Sequence, residues 1–321
     1  MWMAEHHFQP EGYECIPNLI MLNVHLAHLT KNIKFGCGFN IAPMWHPLRL
    51  AEDYATADIL TNGRVIFGVG RGYHTREVET FGSNITDQDA NREEFEEAVD
   101  IIFKAFNNES FSHKGKYYTL PPEVPYRGYT LKDLTLVPRP KTLPVECWQP
   151  IQGGTERALD FMAKHGIKGI LGGGVAEGGV MDSIMTGYRD ALVRAGNKDA
   201  QLGEGLSVGF HYHLAPTVEQ GIKEAKGFFE ENLKMFGPLR LHRGLTDEQI
   251  EIDTQVEGSD EDAGFDFVDH ASDGVWHHLI RNCQHRLCRR RERRQVVAST
   301  ILRASFGRQS WLCLLCGSCR P

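Results

Sequence analysis

No apolar run in this chain reaches the roughly 20 residues that a membrane-crossing helix requires; its longest apolar stretches are strand-sized. Its start, MWMAEHHF, has no basic segment followed by an apolar one, the layout of a secretory signal. Positive charge is not in excess either. The formal net charge of the 321 residues is −7, so no overall field draws the chain to nucleic acid or to an anionic membrane. These absences set the expectation of a cytoplasmic protein with neither kind of partner. No short-period repeat is evident, and a composition 41% hydrophobic and 24% charged is that of an ordinary globular chain. Such a length fits one large α/β barrel or two ordinary domains.

What is present is an alternation of strand and helix patterns. Residues 33–40 and 64–69 are short apolar runs. Between them Leu48, Ala51, Tyr54, Ala55 and Ile59 recur at helical spacing, with Arg49, Glu52, Asp53 and Asp58 turned away. Two buried strands joined by such a helix predict a βαβ unit and a parallel sheet. In parallel α/β folds chemistry gathers at the carboxyl ends of strands. Arg71 stands at such an end in GVGRGY, between Gly70 and Gly72. There the backbone can come close to a bound group, and a guanidinium suits a phosphate. An exposed strand-end arginine would read the same, and the spacing is not that of a dinucleotide fingerprint.

The rhythm continues. A polar helix is predicted over 89–106, with Phe95, Val99, Ile102 and Phe106 on one face, and 111–120 reads as a hairpin around Lys114-Gly115. A loop holding Pro121, Pro122, Pro125, Pro138 and Pro140 then leads to a strand at 145–151, and an excursion of this length serves as a lid or cover. Gly153-Gly154-Thr155 opens a helix with Ala158, Leu159, Met162 and Ala163 inward and a stop at Gly166. Free amides there, with the Thr155 hydroxyl, form a second phosphate cradle. Strands at 167–171 and 206–214 and helices at 180–195 and 218–235 complete an α/β pattern that predicts a parallel (β/α) barrel.

Taken in order and spacing, AEHHF (Ala4 to Phe8), His46-Pro47, Gly63-Arg64, Gly68 to Gly72 and Phe81-Gly82 resemble the luciferase-like flavin monooxygenases. The resemblance runs over residues 1–275, most closely in the first third. It implies a parallel TIM-type barrel and a reduced-flavin-dependent monooxygenase, in which O2 oxidises a small organic substrate through a flavin peroxide. Reduced FMN would come from a separate flavin reductase. A deazaflavin-dependent oxidoreductase of the same fold is the alternative, and an inactive truncated or frameshifted remnant is another; whether the chain pairs as a homodimer stays open. The resemblance further implies that His6 faces the flavin and moves a proton, with Glu5 and His7 orienting it or lining the pocket. Gly38, Phe39 and Asn40 would form a bulge beneath the flavin ring, often with a non-proline cis peptide. Gly70, Arg71 and Gly72, with Gly153, Gly154 and Thr155, would bind the flavin phosphate.

The residues themselves leave simpler readings beside these. On a strand Glu5 and His7 share one side and His6 takes the other, so the three cannot converge on a metal, and no motif supplies a further ligand. A strand end capped by polar residues is the plain alternative, and a plain glycine strand end is the alternative for residues 36–40. His46, before the Pro47 that starts a helix, reads as structural. Cys15, Cys37 and Cys147 read as reduced thiols.

From Trp276 the composition breaks. Residues 276–321 contain arginine but no lysine, and Glu292 is their one acidic residue. Cys313, Cys316 and Cys319 have metal-like spacing without a suitable fourth ligand, and Arg289 to Arg294 resembles a nucleic-acid patch; a shifted reading frame is preferred to both. The expected organisation is a luciferase-like barrel domain over 1–275, lacking its first strand–helix unit, and an aberrant tail over 276–321 that is not a domain.

Overall fold

The computed structural model describes residues 1–9, 15–151, 153–172, 179–209, 213–217, 220–221, 223–225 and 298–299. Most of the helix expected over 218–235 and nearly all of the tail lie outside these residues. The core is a parallel sheet. Strand β1 (Trp2–Met3) is followed by α1 (Leu19–His28), β2 (Phe35–Cys37), β3 (Asn40–Ile41), α2 (Pro47–Thr61) and β4 (Val65–Gly70). Then come α3 (Thr75–Thr80), α4 (Gln88–Asn107), the hairpins β5 (His113–Lys114) with β6 (Thr119–Leu120) and β7 (Pro125–Tyr126) with β8 (Tyr129–Thr130), and β9 (Cys147–Ile151). Helix α5 (Glu156–His165), β10 (Lys168–Gly172), α6 (Val180–Arg194) and β11 (Leu206–Gly209) continue the alternation. A further short strand, β12 (His213–Leu214), pairs antiparallel with β13 (Ala298–Ser299).

Strand order is β1-β2-β4-β9-β10-β11, parallel throughout, with β3 beside β4. The sheet curls into half a barrel with helices packed against it, so the α/β barrel class read from the alternation holds. Phe67 of β4 packs on Tyr54 of α2 and Phe106 of α4, ring centroids 4.7 and 5.7 Å away. Burial of three such rings out of water is worth several kcal/mol, at about 25 cal/mol per Å² of apolar surface. Phe95, Val99, Ile102 and Phe106 form the buried face of α4, as their spacing predicts.

Helix α2 shows both how far periodicity reaches and where it stops. His46 is its N-cap, accepting the Leu48 amide at Nδ1, and Pro47 fills the first turn where no amide partner is needed. The helix ends at Asn62 in the left-handed region (φ 56°). Two of its residues depart from the expected faces. Ile59 is 44% exposed, and Asp58, expected to face water, is fully buried. The Asp58 carboxylate accepts the Thr142 amide at 2.7 Å and the Thr142 hydroxyl at 3.0 Å, so it faces protein because a distant loop brings donors to it. Arg139, close by, donates to the Phe106 carbonyl at the end of α4. This part of the proline-rich excursion therefore ties the carboxyl ends of α2 and α4, at the sheet's amino edge, and is not a lid over the opposite edge. Gly63-Arg64 also has a structural role. The Arg64 guanidinium donates to the carbonyls of Ala27, Thr30 and Thr61, closing the end of α1.

Candidate active site

Beyond Met3 the chain leaves the strand, and the side chains of Glu5, His6 and His7 still take alternate sides. Glu5 and His7 meet on one side, with a hydrogen bond of 3.1 Å between His7 Nε2 and Glu5 Oε1. Glu5 also accepts the Trp45 indole N–H at 2.9 Å and the Ile41 amide at 2.9 Å. Burial pushes its carboxyl above the usual range, against the pull of His7, the Ile41 amide and Trp45. His6 takes the other side. Its Nδ1 donates to Glu77 Oε1 at 3.1 Å, and its Nε2 lies 3.3 Å from the Tyr73 hydroxyl. Glu77 accepts in addition the His7 amide at 2.9 Å and the Gln9 side-chain amide at 2.7 Å. Burial alone would raise the Glu77 carboxyl, but His6, by hydrogen bond and charge, and these further donors hold it below the usual carboxylate range. The outcome is a buried imidazole held by an ionised carboxylate, the arrangement that fixes a histidine tautomer.

Gly38, Phe39 and Asn40 lie beside this cluster. The Gly38–Phe39 peptide is cis. Any Cβ on Gly68 would overlap the Cys37 carbonyl, so glycine is required where β4 crosses that turn. Asn40 donates to the Gly68 carbonyl at 2.8 Å and is fully buried; it fastens the turn to β4.

The two anion elements, far apart in the chain, come together. Arg71, at the end of β4, and Gly153, Gly154 and Thr155, before α5, line one cavity of about 90 Å³. That is several times what a water molecule needs. Arg92 of α4 and Gln149 of β9 line it as well. Arg71 is held by the Asn91 side chain (Nε, 3.0 Å) and the Gln88 carbonyl (Nη2, 2.7 Å). Its guanidinium is lowered to about 10 by burial and by the neighbouring Arg92, and so stays charged near neutrality. Thr155 occupies the N-cap of α5 without using its side chain as a cap, and a Cβ on Gly153 would meet no atom within 4 Å. The first-turn amides and a free hydroxyl thus face an open cradle. The Gln149 carboxamide oxygen, buried at the cavity, has no partner. Glu5, His6 and His7 do not line this cavity, though Tyr73, bonded to His6, follows Arg71 by two residues.

Sequence reasoning missed Glu77, Tyr73, Arg92 and Gln149. Arg92 and Gln149 sit in elements that were read correctly, but facing is not legible without the neighbouring element. Glu77 lies on the short α3, which leaves no periodic signal.

Fold and site together define an α/β protein of the TIM-barrel type, with polar chemistry collected at one end of its strands. The chain belongs to the luciferase-like monooxygenase family, whose description matches residues 1–274. Over 123 residues it is 30% identical to the oxygenase component of the flavin-dependent trigonelline monooxygenase of Acinetobacter baylyi, covering 38% of this chain and 32% of that one. The chain thus spans about a third of the curated relatives it matches. Among solved structures, the oxygenating constituent of 3,6-diketocamphane monooxygenase from Pseudomonas putida, in complex with FMN, superposes with a TM-score of 0.57 at 21% identity, covering 76% of this chain and 67% of that one. An F420-dependent secondary alcohol dehydrogenase, in complex with an F420–acetone adduct, does so with a TM-score of 0.57 at 16% identity, covering 79% and 72%. No helix among the described residues is long and apolar enough to cross a membrane.

Proposed function

We propose that this protein is a reduced-flavin-dependent monooxygenase that binds FMN at the carboxyl ends of its strands and oxidises a small organic molecule with O2. The observation that carries the reading is the convergence of Arg71 with the Gly153-Gly154-Thr155 helix start on one cavity. A fixed guanidinium, unused first-turn amides and a free hydroxyl suit a phosphate monoester. Gln149 supplies a polar group that can accept from a bound hydroxyl. Reduced flavin, when bound, supplies the electrons that activate O2. The chain's own part is to hold the phosphate, to keep water away and to manage a proton. Glu5, His6 and His7 are buried, so the proton is moved where solvent does not compete. Glu77 fixes His6 with its proton on Nδ1 and leaves Nε2 as the exchanging nitrogen; Glu5, bonded to His7, Trp45 and the Ile41 amide, braces the neighbouring wall.

The trigonelline relative is itself named an oxygenase component, which supports a separate flavin reductase as partner. The likeness to an F420-dependent enzyme keeps a deazaflavin within the test. The experiment is anaerobic titration with reduced FMN, reduced riboflavin and a reduced deazaflavin cofactor. FMN is expected to bind at least about 10-fold tighter than riboflavin, since one lost charge-assisted contact is worth about 1.5–3 kcal/mol. Equal binding of FMN and riboflavin would remove the phosphate role of the cavity, and preference for the deazaflavin would replace FMN.

A further inference from the structure

We propose that Tyr73 is a group through which His6 exchanges its proton with the reactants, so that Glu77, His6 and Tyr73 act as one relay. The inference rests on the proposed function for its chemistry and on three contacts for its geometry. Glu77 Oε1 receives His6 Nδ1–H at 3.1 Å, and the same oxygen accepts the His7 amide and the Gln9 side chain. Three donors converge on this carboxylate and, against its burial, hold it below the usual carboxylate range. Glu77 is therefore an anion, Nδ1 carries hydrogen, and Nε2 is the only position at which His6 can gain or lose a proton. That position faces Tyr73. The phenol oxygen lies 3.3 Å from Nε2, and the two rings stand edge to face, 84° apart with centroids 5.7 Å apart. The imidazole is 3% exposed while Tyr73 is only partly buried. The phenol therefore gives a proton on Nε2 a route from the buried imidazole to a less buried position.

Tyr73 is also held firmly enough to serve. It follows Gly72, which has φ 79° and lies directly after the Arg71 anchor. It precedes the helix that carries Glu77. The segment between the proposed phosphate anchor and the carboxylate thus sets both ends of the relay. The step balances as follows. His6 imidazolium gives its Nε2 proton to the Tyr73 oxygen while the Tyr73 hydroxyl proton passes to an oxygen anion of the reactants. The N–H and O–H bonds break, two new O–H bonds form, and His6 is left neutral with Tyr73 unchanged. No oxidant is needed, because only a proton moves.

The first arm of the test needs no flavin. In the full chain with 15N-labelled histidine, the His6 ring is expected in the Nδ1–H form, with Nε2 hydrogen-bonded. Tyr73→Phe should keep the Nδ1–H form and shift the Nε2 resonance to that of an unbonded acceptor, whereas Glu77→Gln should mix the tautomers. The second arm mixes the protein loaded with reduced FMN with O2 and follows flavin reoxidation. Positioned acid catalysis is typically worth 10²–10⁴-fold. Tyr73→Phe should therefore slow reoxidation at least about 10-fold and remove its dependence on heavy water, with unchanged FMN affinity. An unshifted Nε2 resonance in Tyr73→Phe overturns the relay, and so does a shifted one with an unchanged reoxidation rate. Failure of the wild-type protein to bind FMN would defeat the functional reading instead, and the ring measurement would still decide whether the three residues form one unit.

Discussion

Arg71 is committed before any ligand arrives: Asn91 and Gln88 hold its Nε and Nη2, so little side-chain entropy remains to be lost when an anion binds. Arg71→Ala is accordingly expected to weaken reduced-FMN binding by roughly 1.5–3 kcal/mol, measured by anaerobic titration; unchanged affinity would remove Arg71 from the site. His6 is predicted to behave differently. It lies outside the cavity that Arg71 lines, so His6→Ala should keep FMN affinity and release H2O2 in place of oxidised product, as read in a coupled peroxide assay. Retained coupled turnover would disprove its role. At this scale the sequence was informative about side, and silent about partner. The strand-like alternation of Glu5, His6 and His7 placed His6 opposite the other two, but nothing local announced Glu77, 71 residues away from its hydrogen-bond partner.

The helices carry predictions of their own. Asp58 is buried at the end of α2 and holds the loop at Thr142 by two hydrogen bonds. Asp58→Ala removes both hydrogen bonds to Thr142, whose donors are exposed and can turn to water, so the cost is that of two lost bonds to a charged group, about 1–3 kcal/mol, seen as a lower urea midpoint with unchanged slope. Helices α4 and α5 are joined by Asp100, which accepts from His165 at 2.6 Å and from Lys164 at 2.8 Å. Burial works against its charge, but the bonds to His165 and Lys164 outweigh it and lower the carboxyl to about 2. A depressed carboxyl contributes stability that is complete above its unfolded value near 4 and fades as pH falls towards 2. Asp100→Asn should therefore lower the denaturation midpoint at pH 6 and make little difference at pH 2, where most of that contribution is gone. Since α5 also presents the Gly153-Gly154-Thr155 cradle, FMN affinity in Asp100→Asn reports whether the helix shifts. The existence of α2, α4 and α5 was legible from apolar spacing, because burial of one stripe repeats with the helix period. The burial of Asp58 was not, because the donors come from a loop more than 80 residues further on.

Across the molecule, the thiols report cooperativity. Cys37 and Cys147 are buried on β2 and β9, and burial pushes the Cys37 thiol up to about 12 and that of Cys147 higher still. Cys15 is exposed. Alkylation near neutral pH needs thiolate, so Cys15 should react readily in the native protein, while Cys37 and Cys147 should react together and only at the rate of global opening. Peptide mapping by mass spectrometry checks this. Early reaction of Cys147 alone would mean that β9, and with it the cradle after Ile151, opens separately from the rest of the sheet.

The sequence by itself determined the parallel strand–helix alternation, the α2 and α4 apolar faces, the hairpin at 113–120 and the strand end at Arg71, since these depend on residues within a turn or two of one another. It also carried the family resemblance, through short motifs in a fixed order. Only the tertiary structure brought Arg71 to the helix start at Thr155, paired His6 with Glu77 and Tyr73, turned Arg92 and Gln149 into the same cavity, and buried Asp58. The physical reason is common to all of them. A side chain's exposure and hydrogen-bond partners depend on what the neighbouring element presents, and local periodicity fixes which residues share a face without fixing what that face meets.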